Sequence, residues 1–193
     1  MRISIILILL IISLKSYPQT GTFIDIRDGK EYSYSKIGSQ IWMTQNLDYY
    51  AEGKSWKYPE KDSLSCGRYY TWEVAQDVCP EGWSLPSYED WTIMTDYIGT
   101  DSIAVFKLSG LLVSKETLNF NICLSGYRFY FDKFFYGYSD FAYFWTSTKY
   151  SGRLAYSVYL EQKDKLLIKT FDVKDNGLSV RCIKENPDFI IDP

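Results

Sequence analysis

Four cysteines stand downstream of a short, almost wholly apolar N-terminal run, and that pairing constrains this chain more than any other feature. Met1 and Arg2 form a minimal positive start, and Ile3 to Leu14 is broken only by Ser4 and Ser13. Twelve helical residues reach only about 18 Å at 1.5 Å per residue, short of the ~30 Å hydrocarbon core of a bilayer. The length fits the apolar region of a secretory signal. Cleavage is expected between Ser16 and Thr20, which gives a leader over 1–19, one domain over 20–184 and a loosely held tail over 185–193. No cysteine follows the apolar run until Cys66, so a lipid-acceptor cysteine is not expected. After export, Cys66, Cys79, Cys123 and Cys182 meet an oxidising compartment, where disulfides persist. Four cysteines allow three full pairings, and the residues alone do not choose among them.

The composition narrows the function classes. The chain of 193 residues contains no histidine. That removes Ser-His-Asp and Cys-His mechanisms and every His-based zinc site. A net charge of −3 with scattered Lys and Arg does not suit a nucleic-acid binder, which carries a clustered basic face. No Gly-rich phosphate loop, nucleophile elbow or EF-hand spacing occurs. Aromatic residues reach 18%, with 18 tyrosines, and aromatics favour half-buried pleated surfaces.

Periodicity places the elements. Thr22 to Ile26 and Lys30 to Ser35 flank Asp28-Gly29, a hairpin signal. Gln40 to Met43 follows as a strand, and Ala51 to Ser65 reads as a polar loop. Tyr69, Trp72, Ala75 and Val78 recur every three residues, so the spacing predicts a helix over 67–78, stopped by Cys79-Pro80-Glu81-Gly82. A second helix is predicted after Pro86, capped by Ser87 and ended by Gly99. Ala142 to Thr148, Leu154 to Glu161 and Lys165 to Phe171 read as strands. Asn176-Gly177 turns into a last strand, in which Leu178, Val180 and Cys182 share the core face.

Several ordered segments together resemble the Fibrobacter succinogenes major paralogous domain, which is abundant in secreted bacterial proteins. They are Asp25 to Tyr32, Ile37 to Met43 with Asn46-Leu47, and Gly67 to Trp72. Cys79 to Ser87 with Trp91, Gly126-Tyr127-Arg128, Phe144 to Thr148 and Gly177 to Cys182 continue the match. The resemblance implies an α+β, C-type-lectin-like fold, with two helices packed on small antiparallel sheets. It also implies kinship with formylglycine-generating-enzyme-like domains, and a bridge from Cys79 at the first helix to Cys182 on the last strand. Cys66 and Cys123 stand outside the family's motifs, and their joint presence implies a second bridge. Sugar-binding C-type lectins hold calcium with Glu-Pro-Asn and Trp-Asn-Asp. Neither tripeptide occurs here, since Trp145 is followed by Thr146-Ser147, so no calcium site and no cofactor is expected.

The binding candidates are Tyr127, Arg128, Tyr143, Trp145 and Tyr156, with Tyr159 beside them. Flat aromatics stack on sugars or peptides while a polar tip hydrogen-bonds. Trp42, Trp72, Trp83 and Trp91 follow strand or helix patterns and are read as core. Arg128 and Arg181 are expected in structural salt bridges, and Glu73, Asp77, Glu89 and Asp90 on helix surfaces or caps. The chain is expected to be a non-enzymatic, exported module, periplasmic, cell-surface or extracellular, that binds a polysaccharide or a surface protein. It should have no membrane span after cleavage and no nucleic-acid partner. A structural envelope domain is the alternative. A formylglycine-type oxidase is a further one, and it would need Cys66 and Cys123 as reactive thiols. Intact mass of the exported protein tests the leader: a mature start between residues 16 and 20 is expected, and retention of Met1 to Leu14 contradicts it.

Overall fold

A computed structural model describes residues 20–59, 66–99, 120–163 and 167–184. The expected leader and the tail after Lys184 lie outside the described residues. The chain opens with β1 (Thr20–Ile24), β2 (Glu31–Ile37) and β3 (Gln40–Met43). Next come β4 (Ser55–Trp56), β5 (Tyr69–Tyr70), α1 (Trp72–Asp77) and α2 (Tyr88–Ile98). A small hairpin, β6 (Tyr127–Arg128) and β7 (Phe135–Tyr136), precedes the long strands β8 (Phe141–Ser151), β9 (Leu154–Glu161) and β10 (Leu167–Val173). Two short strands, β11 (Leu178–Ser179) and β12 (Ile183–Lys184), end the described chain.

These strands form three sheets, ordered β1-β2-β3-β12, β10-β9-β8-β11-β5-β4 and β6-β7. The Asp28-Gly29 turn joins β1 to β2 as the sequence predicts, with Gly29 at φ +73, a conformation that costs a side-chain-bearing residue. β8 and β9 pair antiparallel, so Tyr143 faces Tyr159, Phe144 faces Val158 and Trp145 faces Ser157. Phe144 and Val158 point toward Trp91 and Met94 of α2 in one buried cluster. Trp145, on the other face, joins Ala75 and Val78 beside α1 in a second. Both clusters also reach the first sheet, through Trp42 and Ile183 in one and Tyr32 and Met43 in the other.

The fold is not the lectin-like α+β arrangement that the resemblance implied. The described residues are 42% strand and 12% helix, spread over several sheets. The helix expected over 67–78 shrinks to Trp72–Asp77, because Tyr69 and Tyr70 are drawn into a sheet. There they pair with β4 on one side and β11 on the other. Their hydroxyls donate to the carbonyls of Ser125 (2.6 Å) and Tyr49 (2.7 Å). Pairing on both edges and burial of two rings outweigh the helical spacing. The polar loop over 51–65 likewise contains β4. The second helix forms as expected: Ser87 and Asp90 make a reciprocal capping box, and Gly99 ends it at φ +83.

The expected last strand divides between two sheets. Leu178 and Ser179 pair with β5 and β8, whereas Ile183 and Lys184 pair with β3. Between them the Val180 and Cys182 carbonyls accept from Leu47 N (2.8 Å) and Met43 N (3.0 Å). Arg181 sits in this segment with no exposed surface. Among the described residues it makes no salt bridge, contrary to expectation. Its guanidinium donates to Asn46 Oδ1 and to the carbonyls of Phe120 (3.1 Å) and Asn121 (3.0 Å). The same group lies 4.5 Å from the Phe120 ring centre and 5.4 Å from that of Phe144.

Both implied disulfides are present, Cys79–Cys182 and Cys66–Cys123, with Cα–Cα separations of 6.0 and 5.6 Å. The first spans 103 residues and the second 57. In the chain-entropy description a loop near the longer length is stabilised by ~4–5 kcal/mol. Cys182→Ser should therefore lower the denaturation midpoint more than Cys66→Ser, and the reverse order contradicts the placement of Cys182 in the core. Arg181→Lys keeps the charge but cannot reach all its acceptors. It should cost about 2 kcal/mol or more in urea unfolding, the cost of leaving buried acceptors bare. A loss below ~0.5 kcal/mol, typical of surface changes, would show that the guanidinium network is dispensable.

Candidate functional site

Strand alternation builds an aromatic face. On β8, Phe141, Tyr143 and Trp145 point to one side, and their partners on β9 are Glu161, Tyr159 and Ser157. α1 covers this side at Trp145, whose Nε1 donates to the Tyr70 carbonyl at 2.7 Å with the ring fully buried. Two residues back along β8, the cover thins and Tyr143 is left half-buried. The β6–β7 hairpin lies alongside. Gly126 N donates to the Phe141 carbonyl at 2.7 Å, and Arg128 exchanges backbone bonds with Gly177. Gly126 adopts φ +66, and a Cβ there would stand 1.9 Å from the Tyr136 carbonyl, so this docking requires glycine.

The hairpin's two sides diverge. Tyr127 and its cross-strand partner Tyr136 turn toward the β8–β9 face, while Arg128 and Phe135 turn the other way. Tyr143 stacks on Tyr159 (5.4 Å between ring centres, 27° between planes). Tyr127 meets Tyr143 edge-on at 5.1 Å and lies 6.0 Å from Tyr136. Phe141 flanks both Tyr143 (5.8 Å) and Tyr159 (6.1 Å). Tyr127, Tyr143 and Tyr159 are all half-buried, so each offers a surface while held in place.

Carboxylates supply the polarity. Asp172 on β10 accepts from Ser157 Oγ (2.6 Å) and Asn176 Nδ2 (3.4 Å). Burial raises the Asp172 pKa above the ordinary carboxylate value, and the two hydrogen bonds only partly offset this. Burial also pushes the Tyr143 phenol up to about 12, with Asp172, Tyr127, Tyr159 and Glu161 adding to the shift. Tyr127 rises for the same reason, reinforced by Asp172 and Asp132. At the hairpin tip the Tyr136 hydroxyl donates to Asp132 Oδ2 at 2.5 Å, which lowers the Asp132 pKa. Burial thus holds the phenols of Tyr127 and Tyr143 in their protonated, donating form.

The structure brings together Tyr127, Tyr143 and Tyr159 of the sequence candidates and separates the rest. Trp145 is core and presents no ring to solvent. Tyr156 points to the opposite side of β9 from Tyr159, against Tyr88 (4.6 Å) and Tyr150 (5.0 Å). Arg128 is buried, with its guanidinium 4.1 Å above the Trp56 ring centre, a cation–π contact; among the described residues it makes no salt bridge, contrary to expectation. Trp42 and Trp91 are fully buried, and Trp72 and Trp83 half-buried. Glu73 and Asp77 are exposed on α1. They line an open groove of about 630 Å³ with Arg27, Tyr49, Lys54 and Trp56. Among the described residues no cluster of three or more Cys, Asp or Glu could hold a metal. Sequence reading missed Tyr136, Phe141, Ser157 and Asp172. Phe141 was legible as the residue two before Tyr143, whereas Asp172 carried no signal beyond an acid next to Phe171 in a β-prone run.

The family model described as Fibrobacter succinogenes major domain matches residues 36–184. No curated protein and no solved structure matches the chain.

The raised Asp172 pKa has a definite sign. The stability linked to it is fully present below the ordinary carboxylate pKa and is lost as pH rises through the raised value. Wild type should therefore gain stability relative to Asp172→Asn as pH falls across that window, read from urea midpoints at stepped pH. A difference that is flat, or that grows with rising pH, contradicts the burial of this carboxylate.

Proposed function

From the premise that the chain belongs to the Fibrobacter succinogenes major domain family, we propose that it is an exported binding module whose ligand is an uncharged polysaccharide. The observation that carries this is the contact of Tyr127, Tyr143 and Tyr159 on one half-buried face beside Asp172. Aromatic planes accept the apolar C–H face of a sugar ring. Phenol hydroxyls and carboxylates then pair with sugar hydroxyls, which both donate and accept. The charges acting on these tyrosines are those of Asp172, Asp132 and Glu161, so an anionic polysaccharide would be repelled. The site was found by position on the sheet and does not depend on a lectin-type calcium site.

Export is supported by the two disulfides, which persist in oxidising compartments. Among the described residues no helix is long and apolar enough to cross a membrane. Binding is favoured over oxidase chemistry because all four cysteines are bridged, leaving no thiol to start a formylglycine-type reaction.

An array of neutral and acidic polysaccharides tests the reading. Neutral glycans should be retained, acidic ones not, and retention should hardly change with salt, since screening acts on charge pairs. Tyr127→Ala and Tyr143→Ala should each weaken the best hit by roughly tenfold, about 1.4 kcal/mol, in protein whose circular dichroism is unchanged. Binding only to acidic glycans, or full affinity in both variants, would remove the aromatic face as the site. No glycan binding at all would favour the structural envelope alternative.

A further inference from the structure

We propose that the Cys66–Cys123 bridge is a redox switch, opened by a thioredoxin-type dithiol ahead of Cys79–Cys182, and that opening releases the segment at 120–123 from the buried Arg181. The proposal goes beyond the binding reading above and does not rest on it. The two bridges differ in what can reach them. Cys182 has no exposed surface, and Cys79 packs against the same core cluster. Cys66 and Cys123 are both half-buried and line a surface cavity of about 230 Å³ with Lys30, Gln45 and Asp48. Exchange begins when a thiolate meets one sulfur of a bridge and expels the other as a thiolate. Cys182 cannot be met, and attack at Cys79 would expel the Cys182 thiolate into the core, where burial disfavours the charge. Attack on either half of Cys66–Cys123 expels a thiolate into a polar cavity. The second thiol of the dithiol then displaces the mixed disulfide. The dithiol leaves as a disulfide, and Cys66 and Cys123 each take up one electron and one proton.

This bridge also closes a ring around Arg181. The guanidinium donates to Asn46 Oδ1, and Asn46 Nδ2 donates to the Cys66 carbonyl at 3.0 Å. On its other side the guanidinium donates to the carbonyls of Phe120 and Asn121, and Asn121 stands two residues before Cys123. The Cys66–Cys123 bond joins the two sides. Once it opens, the segment at 120–123 is held by the Arg181 bonds and by the Phe120 ring, 5.8 Å from Trp42 and 6.3 Å from Trp91. Loss of the covalent tie lowers the cost of local opening, and opening hydrates a cation that burial penalises. The release stops at Ser125, which is buried and whose carbonyl accepts from the Tyr69 hydroxyl at 2.6 Å.

Graded reduction of the native protein with dithiothreitol, followed by alkylation and peptide mapping, tests the first half. Cys66 and Cys123 should be alkylated roughly tenfold faster or more than Cys79 and Cys182. Amide exchange on the singly reduced protein tests the second. Residues 120–123 should exchange faster, α2 should keep its protection, and reoxidation should restore the starting pattern. The double variant Cys66→Ser/Cys123→Ser should show the faster exchange at 120–123 without reductant. Opening of Cys79–Cys182 first or at the same rate overturns the proposal, as does resistance of all four cysteines in the native state. Unchanged exchange at 120–123 with Cys66 and Cys123 reduced also overturns it. Loss of protection in α2 along with 120–123 would make the bridge a staple of the whole fold and overturn the switch. No glycan enters the experiment, so its failure leaves the binding reading standing.

Discussion

The structure depends on a buried charge that has no counter-charge among the described residues. Arg181 lies wholly inside the protein, and desolvation lowers its pKa to about 9, so it is still cationic at neutral pH. An unpaired buried ion is costly, and it persists only where its donors are satisfied. Asn46 Oδ1 and the Phe120 and Asn121 carbonyls do this here, and the rings of Phe120 and Phe144 close over the planar group. One side chain thereby ties the segment after β3, the segment at 120–121 and strand β8 to the stretch between β11 and β12. That stretch is where the chain leaves the six-stranded sheet and enters the four-stranded one. Cys182, the next residue, adds the covalent tie to Cys79.

The aromatic face follows from this frame. Ser179 pairs in parallel with Phe144, so the position of the Arg181 segment sets where β8 lies. With Phe144 turned toward α2, alternation turns Tyr143 and Trp145 the other way. α1 then covers Trp145 and leaves Tyr143 half-buried, and the hairpin beside Gly126 adds Tyr127 and Tyr136. Binding surface and core are thus two ends of one strand face, divided by where a helix of six residues ends.

Local signals were legible wherever the cause was local. The Asp28-Gly29 hairpin, the Ser87 cap, the Gly99 stop and the strand over Leu154 to Glu161 each depend on near neighbours in the chain, and each formed. What failed depended on distant partners. Tyr69 has helical spacing with Trp72 and Ala75, yet pairing with β4 and β11 claims it together with Tyr70. Trp145 and Tyr143 are equivalent by alternation, and only the extent of α1 separates core from surface. Arg181 and Arg128 both suggested salt bridges, because sequence cannot show that carbonyls and aromatic rings will surround them. The resemblance correctly paired the cysteines and misjudged the fold class, since a disulfide fixes two points and leaves the elements between them open.

The most direct test of the aromatic face as the site is a ring-labelled tyrosine NMR titration with whichever neutral glycan the protein retains. The resonances of Tyr127, Tyr143 and Tyr159 should shift together and saturate at one stoichiometric ligand. Those of Tyr32 and Tyr70, buried elsewhere in the core, should stay in place. Saturable shifts confined to Tyr49, in the open groove beside α1, would place the ligand on a different surface and contradict the assignment.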